Sequence, residues 1–299
     1  MEELYNELAK KISPNRIMLN EPMSKHTSFK IGGPADIFVI INNLDELKFI
    51  LKEANKRKTP VTYIGNGTNL LVKDKGIRGI TIKLNFKDIN VQGDIIEAGS
   101  GVSIPILAKT AYENSLSGLE FASGIPGTVG GAIKMNAGAY GGEFKDIVIE
   151  TTVMDKDLKI HTISNREHNF SYRNSVFDSN DDIIISTKLQ LSKKSKEEIK
   201  SKMEENIAAR RKKQPINMPN AGSVFKRKNN IIPAEVIDKC GLKGYNINGA
   251  TVSVLHSGFI VNQKNATATD VLNLIKHIKK TVKEKYNEDL ELEIKVIGE

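Results

Sequence analysis

One cysteine, Cys240, serves the whole 299-residue chain. It excludes an intramolecular disulfide and any thiolate metal cluster, which suits a reducing compartment and removes zinc and iron–sulfur chemistry from consideration. Tryptophan is missing and aromatics make up 6% of the residues. Without stacking side chains interleaved in a basic stripe, the excess of Lys and Arg does not describe a nucleic-acid surface. No window holds the roughly 18 consecutive apolar residues that a membrane span needs. The opening stretch MEELYNELAKKIS carries charge throughout, where a secretory signal would have an apolar core and a cleavage site. The expectation is a cytoplasmic protein with no metal, no membrane, no nucleic acid and no obligate protein partner.

What is present is ordinary globular composition, 39% hydrophobic and 27% charged, enough for two or three packed units. The net charge of +8 is mostly scattered, which favours solubility and little else. Its densest run, Arg210-Arg211-Lys212-Lys213, ends the mixed-charge segment SKKSKEEIKSKMEENIAARRKK. Two readings stand for that run. Cations complement the dipole at a helix C-terminus, and they could equally clamp a diphosphate.

Strand-like runs occur at Asp36–Ile41, Val61–Ile64, Ile80–Leu84, Ile95–Ala98, Ile147–Met154 and Ile183–Leu191, each bounded by Gly, Asn or Asp. Helical spacing of Leu47, Ile50, Leu51 and Ala54 predicts a helix over Asp45–Lys58, and Ser103–Asn114 opens with a Ser N-cap and Pro just inside. A long amphipathic helix is predicted over Thr269–Tyr286, leading into a closing strand, Leu290–Ile297. The sequence turns polar and lysine-rich around Ser192–Ser201, where the boundary between two units is expected.

Two glycine-dense loops carry the chemistry. In VTYIGNGTNLLV a strand runs into Gly65-Asn66-Gly67-Thr68-Asn69, where positive φ would let several backbone N–H groups converge on one anion; a plain tight turn fits this loop as well. The second, SGIPGTVGGAIKMNAGAYGG, holds seven glycines between Gly124 and Gly142. Glycine is entropically costly to order, so this density points to close approach of a cofactor. Neither loop is a Gly-x-Gly-x-x-Gly helix opening with an acidic residue about twenty positions on, nor a phosphate loop ending in Gly-Lys-Ser/Thr. A nucleotide cofactor would therefore lie between loops of two small α+β lobes.

Taken with HTSFKIGGPAD, these loops resemble the FAD-binding half of the UDP-N-acetylenolpyruvoylglucosamine reductases. Further blocks follow in the family's order: GIRGITI, GLEFASGIPGTVGGAIKMNAGAYGGE, YRNSVF, PNAGSVFK, HSGFIVN and LELEIKVIG. The resemblance implies an α+β fold: a two-lobed FAD-binding half of the FAD-dependent oxidase/dehydrogenase (PCMH-like) type plus a C-terminal α+β substrate-binding domain. The expected limits are 1–193, with lobes of about 1–86 and 87–193, and 200–299, whose last strand could return to the first half. The chain resembles the shorter form of the family, which lacks an inserted substrate-loop tyrosine and an extra βαββ element and should have a more open channel.

The resemblance implies NADPH-dependent, FAD-mediated reduction of UDP-N-acetylenolpyruvoylglucosamine to UDP-N-acetylmuramate, a step in peptidoglycan precursor synthesis. It places Arg173, Ser223 and Glu293 at the reaction, Arg173 stabilising charge on the substrate carboxylate, Ser223 donating a proton to carbon and Glu293 holding the polar network or sharing a proton. It assigns FAD to Gly65, Asn66, Gly67, Thr68, Asn69 and Leu70, and to Ser123, Gly124, Ile125, Pro126, Gly127, Thr128, Gly130, Gly131 and Ala132. These loops offer no clear histidine anchor, so dissociable FAD is expected. Candidates for the substrate are Tyr172, Arg211, Lys213, Asn220, Lys226 and Gln263. The Asn that often follows the family's lysine is here Arg227.

Read from the residues alone, Ser223 is a turn serine, Arg173 a surface or salt-bridged arginine, and Glu293 a solvent-facing position of the Leu290–Ile294 alternation. His26 and His256 read as hydrogen-bonded structural residues and Cys240 as a small packed side chain. Two other classes stay open: a carbohydrate oxidase on the same cofactor half, and a non-catalytic binder of nucleotides or anionic polymers.

Overall fold

The computed structural model describes residues 1–228 and 231–299. Its first sheet sets Ile17–Pro22 antiparallel to Pro34–Ile41, followed by Ile77–Leu84 and Val61–Ile64 in parallel. The parallel pairs need a crossover, and the Leu44–Lys56 helix supplies it. That helix starts where Asn43 accepts a hydrogen bond from the Glu46 N–H (2.9 Å), and it buries Leu47, Ile50 and Ala54 against the sheet. Full burial of one such Leu or Ile contributes about 1.5–3 kcal/mol.

A second, antiparallel sheet runs Ile160–Ser164, Val148–Met154, Ile183–Gln190, Ile95–Gly99, Ile89–Gln92. The Ile104–Glu113 helix shares its core through Ile104, Leu107, Ala108 and Ala111. Ser103 occupies the expected N-cap, but its hydroxyl makes no capping bond; its backbone instead bridges to Thr128 at the second glycine loop.

A third apolar cluster forms around the Ala268–Tyr286 helix, with Val271, Leu274, Ile275, Ile278 and Val282 in its inward stripe. The helix covers an antiparallel sheet of Asn220–Ser223, Phe259–Asn262, Ala250–Val252 and Asn246–Ile247. Phe29, Ile31 and Leu71, from early in the chain, belong to the same cluster. Asp74 reaches across to accept from the N–H groups of Ala268 (2.7 Å) and Thr269 (2.9 Å), satisfying donors that a helix start leaves unpaired. The closing segment departs from the sequence expectation. Only Lys295–Ile297 is a strand, parallel to Leu70–Val72, while Leu290–Ile294 threads past Phe225 with a single bridge at Leu292. Among the described residues no helix is long and apolar enough to cross a membrane, and no cluster of His, Cys, Asp or Glu could hold a metal.

Candidate active site

The two glycine loops meet. Asn66 Nδ2 donates to the carbonyls of Pro126 (3.1 Å) and Gly127 (3.4 Å), and a Cβ on Gly65 would stand 2.5 Å from Thr128 Oγ1. Glycine lets the first loop pass this close to the Thr128 side chain. Thr128 caps the short Val129–Lys134 helix by accepting from the Gly131 N–H (3.3 Å), and Ile104 N–H donates to Gly127 O (3.1 Å). Between Asn66 and Asn69 the backbone N–H groups find no acceptor among the described residues, and the buried Ser100 hydroxyl beside Gly130 is also unpartnered. Rigid loops with unsatisfied donors suit an anionic, extended cofactor, which would supply the missing acceptors.

Arg173 and Glu293 lie 120 positions apart in sequence and form an ion pair, Nε to Oε1 at 2.8 Å. Their side chains are 20% and 13% exposed, so Glu293 faces inward and is not the solvent-facing strand position that alternation alone suggests. Burial pushes the Glu293 carboxyl above its ordinary value; Arg173 opposes that shift without cancelling it. The arginine sits at the tip of a tight hairpin closed by reciprocal Ser171 and Asn174 backbone bonds, with φ +55°. For a bulky residue this left-handed conformation is strained, and it persists because its surroundings fix it. Arg173 Nη2 donates to Gly138 O (3.1 Å), leaving Nη1 without a partner among the described residues.

Ser223 ends a strand that bulges between Asn220 and Ser223, with Gly222 at φ +79°. The hydroxyl has no hydrogen-bond partner among the described residues, while the next residue ties this strand to the acid: the Glu293 N–H donates to Val224 O (2.8 Å). Asn69 closes the group, donating through Nδ2 to Glu293 O (3.1 Å) and lying 3.6 Å from Met135 Sδ. The first glycine loop, the arginine hairpin, the serine strand and the closing segment thus converge.

The substrate candidates are distributed unevenly. Tyr172 lies against Arg173 and accepts from the Arg227 N–H (3.5 Å). Lys226 is held by Glu291 at 2.7 Å. Arg211 and Gln263 line a cavity of about 660 Å³ with Gln214, Met218 and Thr251, next to the serine-bearing sheet. Lys213 is exposed and lies outside that lining. The Asn220 amide is committed to its own turn, donating to Pro215 O and Met218 O and accepting from Gly222 N–H. His26 pairs with Glu21 and stacks on Phe38, and His256 accepts from Gly258 N–H.

Sequence reading passed over Asn136. This fully buried residue, at φ +40°, donates to Glu143 and to Ser171 O (both 3.0 Å) and accepts from Lys145 N–H, so it anchors the arginine hairpin. Its signal was an amide placed just before the Ala-Gly-Ala turn, where side-chain bonds to the backbone are favoured.

Comparison with known proteins agrees along the whole chain. Residues 35–164 match the FAD binding domain family and 214–297 the UDP-N-acetylenolpyruvoylglucosamine reductase C-terminal domain. The chain is 48% identical to the UDP-N-acetylenolpyruvoylglucosamine reductase of Caldanaerobacter subterraneus subsp. tengcongensis, over 100% of this chain and 99% of that one. The crystal structure of the enzyme of that name from Thermus caldophilus aligns with a TM-score of 0.81 at 35% identity, covering 94% of this chain and 98% of the other. A variant of Phl p 4, a glucose oxidase, aligns at a TM-score of 0.50 and 14% identity over 65% of this chain and 44% of its own, a likeness of fold alone. With both family regions and the entire length accounted for, the chain belongs to the UDP-N-acetylenolpyruvoylglucosamine reductase family of FAD-dependent oxidoreductases.

Proposed function

We propose that this protein reduces UDP-N-acetylenolpyruvoylglucosamine to UDP-N-acetylmuramate with NADPH, in the cytoplasm, and that Arg173, Ser223 and Glu293 serve the reaction. The observation that carries this reading is the inward Arg173–Glu293 pair bonded to the Ser223 strand beside the glycine loops. Gly65–Leu70, Ser123–Thr128 and Gly130–Ala132 would hold FAD, which when bound would supply the hydride chemistry that links NADPH to the terminal carbon of the enolpyruvyl group. Negative charge then builds on the adjacent carbon and its carboxylate. The free Nη1 edge of Arg173 meets that carboxylate, and a fixed guanidinium stabilises the developing charge without reorganising. Ser223 delivers the proton to the adjacent carbon, its hydroxyl being uncommitted. A serine hydroxyl is weakly acidic, so it needs a neighbour to restore its proton; Glu293, whose carboxyl burial biases toward the protonated form and whose N–H is bonded to Val224 O beside Ser223, is the candidate.

Arg211 and Gln263 would receive the nucleotide in their cavity, with Tyr172 and Lys226 nearer the reacting end. Lys213 contributes only long-range charge in this reading, and Asn220 shapes the turn that presents Ser223. Anaerobic stopped-flow absorbance tests the proposal: NADPH should bleach the flavin, and the enolpyruvyl substrate should restore it. Bleaching without recovery would keep the cofactor and discard the substrate.

A further inference from the structure

The loop of residues 27–31 comes early in the chain, yet Phe29 and Ile31 are buried in the core of the last sheet. Thr27 Oγ1 donates to Ile31 O (2.8 Å), and Asn262 Nδ2 donates to Phe29 O (3.2 Å), so the loop is tied to itself and to the serine-bearing sheet. Ser28, half-buried in this loop, is bonded in two directions. Its N–H donates to Gly67 O in the first glycine loop (3.2 Å). Its hydroxyl donates to Asn220 O (2.6 Å), where the bulge that leads to Ser223 begins. The hydroxyl also lies 3.5 Å from Gly67 O, but it has one proton, and the shorter bond takes it.

Each bond orients a peptide. In a planar trans peptide the C=O and the following N–H point in opposite directions. With Gly67 O turned to Ser28, the Thr68 N–H faces away from it, with the unpartnered donors of that loop. The bulge is gripped from both sides: Asn220 O by the Ser28 hydroxyl, and Val224 O by the Glu293 N–H (2.8 Å). Packing does not set its shape at Gly222, where φ is +79° and nothing lies within 4 Å of where a Cβ would stand. A glycine in open space is free to move, so the held carbonyls decide where the next residue, Ser223, stands.

We infer that the Ser28 hydroxyl is a positioning group for the reduction proposed above: it fixes Ser223 relative to the first glycine loop. The inference rests on the role given there to Ser223. Because backbone holds the loop and side chain holds the bulge, substitution separates the two. Ser28→Ala keeps the bond to Gly67 and releases Asn220.

Anaerobic stopped flow on flavin-loaded wild type, S28A, S28T, S223A and the S28A/S223A double variant tests this. S28A should be reduced by NADPH at the wild-type rate. Its reoxidation by saturating UDP-N-acetylenolpyruvoylglucosamine should slow about ten- to hundredfold, the scale of a small misplacement of a reacting group. S28T keeps the hydroxyl and should regain most of that rate. In the S223A background, adding S28A should cost less than about twofold, because the group it positions is already gone. A merely structural role would instead slow both half-reactions of S28A, or slow S223A as much as wild type. Either result overturns the inference, as does S28A reoxidised as fast as wild type. If S28A does not fold, S28C, a weaker donor of similar size, reads the same outcomes. Wild type bleached by NADPH but not restored by substrate, or S223A as fast as wild type, would overturn the proposed function itself and this inference with it.

Discussion

The glycine loops and the Arg173–Ser223–Glu293 cluster are built by opposite means. In the loops, backbone groups present the chemistry, and closely spaced glycines set the conformation, with one seam between the loops where Gly65 meets Thr128 and Asn66 donates to Pro126, 60 positions away. In the cluster, side chains present it, and each comes from a different segment held by tertiary bonds. Arg173 is strained on its hairpin and anchored by Asn136, Ser223 rides a bulged strand, and Glu293 lies in an irregular stretch fastened to Val224 and Asn69. The difference teaches that the cofactor region should depend on one seam between two loops, whereas the reacting region should depend on contacts among several separate segments.

The proposed division predicts separable defects. Ser223→Ala should slow reoxidation of the flavin by substrate about 10²–10⁴-fold while leaving reduction by NADPH intact, because the proton enters only in the second half-reaction. Equal loss in both halves, seen by stopped flow, would break the comparison. Arg173→Ala should reduce the same step by about 10²–10³-fold, the usual consequence of losing one fixed donor to a developing anion. It also strands a mostly buried Glu293, which should take up a proton at higher pH than in wild type, since the group that opposed its upward shift is gone. Infrared titration of the carboxyl would follow this.

Gly65→Ala should act on the other region. Forcing Thr128 away introduces strain of about 1–3 kcal/mol, equivalent to roughly ten- to hundredfold in FAD affinity. Flavin fluorescence titration reads it, and unchanged affinity would mean that the two loops need not touch. Smallest is the control outside both regions. Arg16 grips Glu46 through two 2.7 Å bonds and holds its carboxyl below the ordinary value. That stabilisation is complete above the normal carboxylate range and lost as pH falls through the lowered value. Glu46→Gln should therefore destabilise by about 1–2 kcal/mol at neutral pH, less in acid, with flavin affinity unchanged. Thermal unfolding at several pH values measures the gap.

Much of the first half was legible because its signals are local. The periodicity of Leu47, Ile50 and Ala54 places a helix, and the runs at Val61–Ile64 and Ile183–Leu191 place strands close to where they form. The closing segment was not legible. The Leu290–Ile294 alternation has the period of a strand, yet no neighbour pairs it fully, and the chain bends so that Glu291 stays outside with Lys226 while Glu293 turns inward to Arg173. Periodicity describes which residues could share a face, and pairing decides whether that face exists. The basic run was ambiguous for a similar reason: only the docking of Asn206 on Glu120 separates Arg210 from the exposed cations after it.

The sequence by itself determined the helices and main strands, the absence of disulfide chemistry, and the glycine positions where backbone must pass close to something. Those properties follow from local conformational entropy, side-chain volume and hydrophobic period, which act within a few residues. Tertiary structure decided which polar groups lost water and found each other: Arg173 with Glu293, and Asn69 with the closing segment. Burial and partner choice are set by contacts between distant segments, such as Asn69 and Glu293 at 224 positions apart, and the energetics of charge depend on both.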